Sequence, residues 1–197
     1  MKRMRTSTVA VFLFALLVFY SRAGALDAAP PVGSQFPDVA ITVPDSKEHR
    51  NYLGLKRGDS FKLFQVATDT VIVEVLSMYC PFCQAEAPAV NTLYSMIEGD
   101  PELRGKVKII GIAAGNTKLE RDMFVDKFDI PFPVFADGDF LFHKALGEVR
   151  TPYFFGVRIA DGAATVFYSN LGAFDDPASF LSLILERSRS KNTEVSP

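Results

Sequence analysis

Cys80-Pro81-Phe82-Cys83 is where residue types and spacing in this sequence spell out a reaction. Two intervening residues set the two sulfurs about one helical turn apart, within disulfide reach, if the motif opens a helix. At such a start the unpaired amide N–H groups and the helix dipole favour a thiolate at Cys80. Pro81 suits the first helical position, where its missing N–H has no partner to lose. The first sulfur can then attack a disulfide and the second can resolve the mixed disulfide. Two other readings compete. Half of a zinc site would need more cysteines or clustered histidines, and the chain offers only His49 and His143, far apart. A purely structural bridge closing so small a loop would add little stability. Thiol redox chemistry is therefore expected, with no metal and no cofactor, because the electrons travel through sulfur.

The elements around the pair must place it at a strand–helix junction. Val71 to Leu76 is β-branched and almost wholly apolar, as in a strand covered on both faces. Cys83 to Glu98 follows as a helix, with Ala87, Val90, Tyr94 and Ile97 on one apolar face and Gly99-Asp100-Pro101 as its stop. Beyond it the pattern predicts a strand over 107–113, a helix over 118–128, a strand over 132–136 and a short helix over 140–146. Strands over 153–159 and 164–170 flank Asp161-Gly162, a hairpin turn signal, and Pro177 opens a last helix to about Arg187. Phe61 to Val66 is a further candidate strand. Strands separated by helices, closed by a hairpin, predict an α/β fold with a mixed central sheet between helices.

Glu74 interrupts the buried strand six positions before Cys80. On a central strand its carboxylate would be desolvated and its pKa raised; on an edge strand it would simply face water.

The chain has 197 residues, 48% of them hydrophobic and 22% charged, with 18 Phe and no Trp. That composition suits one globular domain, placed at residues 34–190 with a flexible tail over 191–197. Lys2, Arg3 and Arg5 precede an unbroken apolar run, Val9 to Tyr20, and Ala23-Gly24-Ala25 follows. This is the layout of a signal peptide over residues 1–25, cut after Ala25, with 26–33 as a linker. The run is about 12 residues, short of the roughly 20 a membrane helix needs. Export to a periplasm is expected, and contact with a membrane only if the segment is retained. Without its first 25 residues the chain would keep 17 basic against 23 acidic residues, which gives it no general pull on nucleic acid or anionic lipid.

With these residues in place, the chain resembles the thioredoxin superfamily, and within it the exported TlpA/ResA-like thiol–disulfide oxidoreductases of the redoxin branch. Val32-Gly33-Ser34-Gln35-Phe36-Pro37 looks like that branch's domain entry, with its Gly-x-x-x-Pro pattern. Thr151-Pro152 looks like the cis-proline loop that faces the cysteine pair. About 70 residues separate Cys83 from Pro152, which resembles a strand-plus-helix insertion. The resemblance implies that Glu74 accepts the proton of Cys83. It also implies that Tyr79, Pro81, Phe82, Thr151 and Pro152 meet the substrate, and that the partners are protein dithiols or disulfides plus an upstream redox partner. Tyr79 stands where thioredoxins carry Trp, and Pro81-Phe82 resembles the glutaredoxin or DsbA pair, so the direction of electron flow stays open. Ser77-x-x-Cys80 echoes the peroxiredoxin motif, which makes a thiol peroxidase the first alternative. A copper chaperone resembling Sco proteins, using His143, is the second. His143 and Arg150 are otherwise expected at the solvated surface.

Overall fold

A computed structural model describes residues 28–190. The signal peptide expected over 1–25 and the tail expected over 191–197 lie outside the described residues.

Five strands form one mixed sheet: β3 (Thr70–Leu76), β4 (Val107–Ala114), β5 (Val134–Asp137), β6 (Tyr153–Ala160) and β7 (Ala163–Leu171), in the order β5-β4-β3-β6-β7. β3, β4 and β5 run parallel, β6 runs antiparallel to β3, and β7 antiparallel to β6. β6 and β7 are joined through Asp161 and Gly162, whose φ of 52° and 73° are those of a tight hairpin turn with two left-handed residues. β3 is therefore the central strand, and every one of its residues is buried. Its β-branched sequence follows from that position, since neither face meets water.

Helices and chain segments cover both faces. One face, carrying Ile72, Leu76, Ile109 and Phe154, packs under α2 (Pro81–Gly99), α3 (Lys118–Lys127) and α5 (Pro177–Arg189). The other, carrying Val71, Val73, Val75, Ile110 and Phe155, packs under α4 (Leu141–Ala145) and the N-terminal segment. Alternation along β3 thus turns Glu74 toward α2, in the company of Ile72 and Leu76.

The N-terminal segment departs from expectation. A two-stranded ladder, β1 (Ile41–Thr42) with β2 (Ser60–Phe61), brackets α1 (Lys47–Leu53). The strand expected over 61–66 stops after Phe61 and becomes a 3₁₀ turn, Leu63–Gln65. Buried Leu63 and Val66 stand three apart, and the Lys62 amide donates to Gln65 Oε1 at 2.7 Å, so the local bonding favours a turn over a ladder. Residues 28–33, expected as a linker, are seated on the domain: Pro30 is buried and the Gly33 amide donates to the Val166 carbonyl at 2.8 Å. Tyr52 of α1 accepts from the Ile109 amide at 2.8 Å, a donor on β4 that lies ahead of the first residue paired with β5. Among the described residues, no helix is long and apolar enough to cross a membrane.

Gly156 on β6 marks a tight approach between sheet and side chain. A Cβ there would lie 2.6 Å from the Phe167 ring, beside a register shift between Gly156 and Val157. Gly156→Ala is expected to lower stability by about 1–3 kcal/mol, measured by denaturant unfolding, because the buried ring has to move.

Candidate active site

β3 ends at Leu76, and the chain turns through Ser77-Met78-Tyr79 into α2. Cys80 is the N-cap residue of α2 and Pro81 stands in its first turn, so the helix begins at the motif itself. Both cysteines are free thiols; Cys80 is half-buried and Cys83 fully buried. The Cys83 amide donates to Cys80 Sγ at 3.4 Å, and the Cys80 thiol lies 3.3 Å from the Thr151 carbonyl that accepts from it. Burial works against ionisation of Cys80. Hydrogen bonding with the Thr151 side chain and with the amides of Cys83 and Phe82 outweighs it and holds this thiol below its ordinary value.

Cys83 sits on the inner face of α2 and shows the opposite behaviour. Burial pushes its thiol well up, a hydrogen bond from the Ser77 amide opposes this, and the neighbouring Cys80 and Glu74 add to the rise. Two sulfurs one turn apart are thus shifted in opposite directions from the ordinary thiol value, one made readier to attack and one kept protonated until a base takes its proton.

Glu74 is 2% exposed, and the central position of β3 excludes the water-facing edge. Desolvation first, then the charges of Glu86 and Cys80, raise its carboxyl from 4.5 to about 8. The sequence reading did not single out Glu86. It lies three residues after Cys83 on the same buried face of α2, and its Oε1 accepts from the Phe174 amide at 3.0 Å. Burial raises it, the Phe174 amide opposes, and Asp175 adds to the rise. The helical spacing 83, 86, 87, 90 was its available signal. Asn116 was also missed. Fully buried after β4, it accepts from the Met78 amide at 2.8 Å through Oδ1, and its Nδ2 donates to Ser77 Oγ at 3.4 Å. It clamps the turn whose Ser77 amide faces Cys83.

The remaining expected residues divide. Tyr79 and Phe82 are exposed beside Cys80, and the Tyr79 hydroxyl donates to Glu120 on α3. The Thr151–Pro152 peptide is cis, with Thr151 half-buried against Cys80 and Pro152 buried. Arg150 is exposed. His143 corrects the expectation of a surface residue: it is half-buried, its Nε2 donates to the Val149 carbonyl at 2.8 Å, and its amide donates to Asp137 at 2.8 Å. His49 lies on α1 near Arg121. Among the described residues, no three His, Cys, Asp or Glu side chains gather in a way that could hold a metal ion.

Comparison with known proteins places this arrangement. The redoxin family model matches residues 31–182. The chain belongs to the redoxin family. This redoxin is 28% identical over 135 residues to thiol-disulfide oxidoreductase ResA of Geobacillus kaustophilus, covering 68% of each chain. A secreted Mycobacterium tuberculosis disulfide oxidoreductase, described as homologous to E. coli DsbE, shares its fold with a TM-score of 0.53 at 20% identity, over 76% of this chain and 96% of that one. The thioredoxin domain of a Bacteroides vulgatus thiol-disulfide oxidoreductase does so with a TM-score of 0.57 at 15% identity, over 78% and 98%. The redoxin is thus a thioredoxin-superfamily enzyme of the ResA/TlpA-like type, a thiol–disulfide oxidoreductase by class.

A carboxyl raised to about 8 in the fold binds its proton more tightly folded than unfolded. Its contribution is intact below about 4.5 and is lost as pH rises toward 8, because the unfolded carboxyl gives up its proton over that window while the folded one has to keep it. Wild-type stability should fall between pH 5 and pH 8 by up to about 4 kcal/mol on this account. In Glu74→Gln most of that fall should vanish, as read by urea unfolding at each pH.

Proposed function

We propose that this redoxin is an exported enzyme that exchanges the Cys80–Cys83 dithiol and disulfide with protein substrates through a mixed disulfide. The observation that carries the reading is the asymmetry of the two thiols: an accessible Cys80 held low at the start of α2, and a buried Cys83 held high beside Glu74.

In the reducing direction the Cys80 thiolate attacks a substrate disulfide. A Cys80–substrate disulfide forms, and the first substrate sulfur leaves as a thiolate that takes a proton. Glu74, ionised, accepts the Cys83 proton, and the Cys83 sulfur attacks Cys80 Sγ. The intramolecular disulfide closes and the second substrate thiol is released, so two electrons have passed to the substrate. Oxidation of a substrate dithiol is the same path reversed. Thr151 and Pro152 lie alongside the attacked sulfur and are assigned to binding the substrate backbone, with Tyr79, Pro81 and Phe82 around it. Glu86 is assigned to tuning the charge on Glu74. No cofactor enters the scheme. Export rests on the composition of residues 1–25, with an upstream redox partner in the same compartment restoring the pair.

Wild-type protein should reduce insulin disulfides, and Cys80→Ser should abolish this. Cys83→Ser should accumulate a mixed disulfide visible by intact mass and cleared by dithiothreitol. Peroxide consumption that needs Cys80 alone, without insulin reduction, would overturn the reading in favour of a thiol peroxidase. In rapid-mixing experiments the resolving step should speed up as pH rises through about 8, where Glu74 ionises. Glu74→Gln should slow that step about 10- to 100-fold at pH 8 and lose the inflection.

A further inference from the structure

Thr151 reaches Cys80 at the end of a loop that has no strand or helix of its own. Between α4 and β6 the chain passes through Leu146, Gly147, Glu148, Val149 and Arg150 before it arrives at Thr151. Gly147 and Glu148 both have positive φ, 77° and 51°. That conformation is easy for Gly147 and uncommon for Glu148, so surrounding contacts have to hold it. Leu146 and Val149 contribute buried side chains. Apolar burial has no direction, however, and the orientation of the loop backbone is left to hydrogen bonds.

His143 supplies them. Its carbonyl accepts from the Leu146 amide at 3.2 Å and from the Glu148 amide at 3.0 Å. Its ring Nε2 lies 2.8 Å from the Val149 carbonyl. A carbonyl can only accept, so Nε2 carries the ring hydrogen. One residue thus grips the loop at Leu146, Glu148 and Val149, through backbone and side chain together. His143 is itself fixed from β5. The buried Asp137 carboxylate accepts from the Phe142 amide at 2.9 Å and from the His143 amide at 2.8 Å, one oxygen for each. Two residues beyond Val149, the Thr151 carbonyl accepts from the Cys80 thiol at 3.3 Å. A continuous line of contacts therefore runs from the end of β5, through the imidazole, to the more exposed of the two sulfurs.

We propose that His143 is a positioning residue for Cys80: by holding the Val149 carbonyl it fixes where the loop sets Thr151 against the sulfur. The inference rests on the reading of Cys80 as the attacking sulfur. His143 acts only through the loop, at one remove from the reacting atoms. An apolar side chain in its place leaves the Val149 carbonyl without that donor. Thr151 then loses its fixed position, and Cys80 loses part of the hydrogen bonding that holds its thiol low.

The test is the rate of Cys80 alkylation by iodoacetamide against pH in the reduced full-length protein, followed by intact mass. The rate tracks the thiolate, so its midpoint reports the thiol. Wild type should show a midpoint below the ordinary thiol value of about 8.5. His143→Leu should raise the midpoint by at least about half a unit, which slows alkylation below it about three-fold or more. His143→Gln, whose side-chain N–H can reach the same carbonyl, should restore the wild-type midpoint. Asp137→Asn, which loosens α4 without altering the ring, should shift the midpoint in the same direction as His143→Leu. Cys83 on α2 and Glu74 on β3, the titratable groups set against Cys80, are unchanged in all three. A His143→Leu or Asp137→Asn protein that is less stable to urea yet keeps the wild-type midpoint would overturn the proposal and leave His143 a merely structural residue. So would NMR of the wild-type imidazole nitrogens that finds the ring hydrogen on Nδ1, a measurement that needs no variant. A wild-type midpoint at the ordinary thiol value would instead sink the reading of Cys80 as the attacking sulfur, so the two failures are distinguishable.

Discussion

The first amide N–H groups of α2 have no carbonyl partner inside the helix, and the sulfur of Cys80 stands in for one. Most of the site follows from this substitution. A helix has to start at the motif, so the chain must turn sharply after β3, and Pro81 in the first turn makes that start cheap. The same turn sends Cys83 onto the inner face of α2, where helix meets sheet and water is excluded. The helix start draws negative charge to one sulfur, while burial denies it to the other. A single local geometry thereby separates two chemically identical groups.

The interior carboxyls are the second consequence. A buried acid in a run of Val, Ile and Leu is costly unless it stays neutral or finds partners. Among the described residues no hydrogen bond holds Glu74 ionised, and Glu86 lies near enough to oppose its charge. Glu86 differs because the Phe174 amide partly satisfies it. The nearby charge of Glu86 thus adds to burial in keeping the Glu74 carboxyl protonated.

What could be read from the sequence follows from how local each feature is. The cysteine motif and the strand and helix beside it are contiguous, so residue type and spacing sufficed to place them. Glu74 stood out because an acid breaks a β-branched run. Glu86 did not, because an acid on a helix is ordinarily solvated, and only the Cys83 face shows that it is buried. Asn116 gave no signal at all: its role exists only because the end of β4 lies beside the end of β3. β1 and α1 escaped notice because the ladder is two residues long and α1 buries only Leu53, although Ser46 and Gly54 cap it in the ordinary way. His143 looked like a surface residue because its carbonyl partner, six positions on, has no side-chain signature.

The seating of the leading segment on β7 has a consequence for colloidal behaviour. Gly33, Ser34 and Phe36 occupy backbone positions along the outer side of β7, and across the sheet an Arg121 guanidinium occupies the Val134 carbonyl on β5. Each flank of the sheet is thus plugged by its own chain, a common safeguard against strand-to-strand polymerisation. A molecule trimmed past Phe36 would uncover the start of β7 as an open ladder, ready to recruit a neighbour's strand.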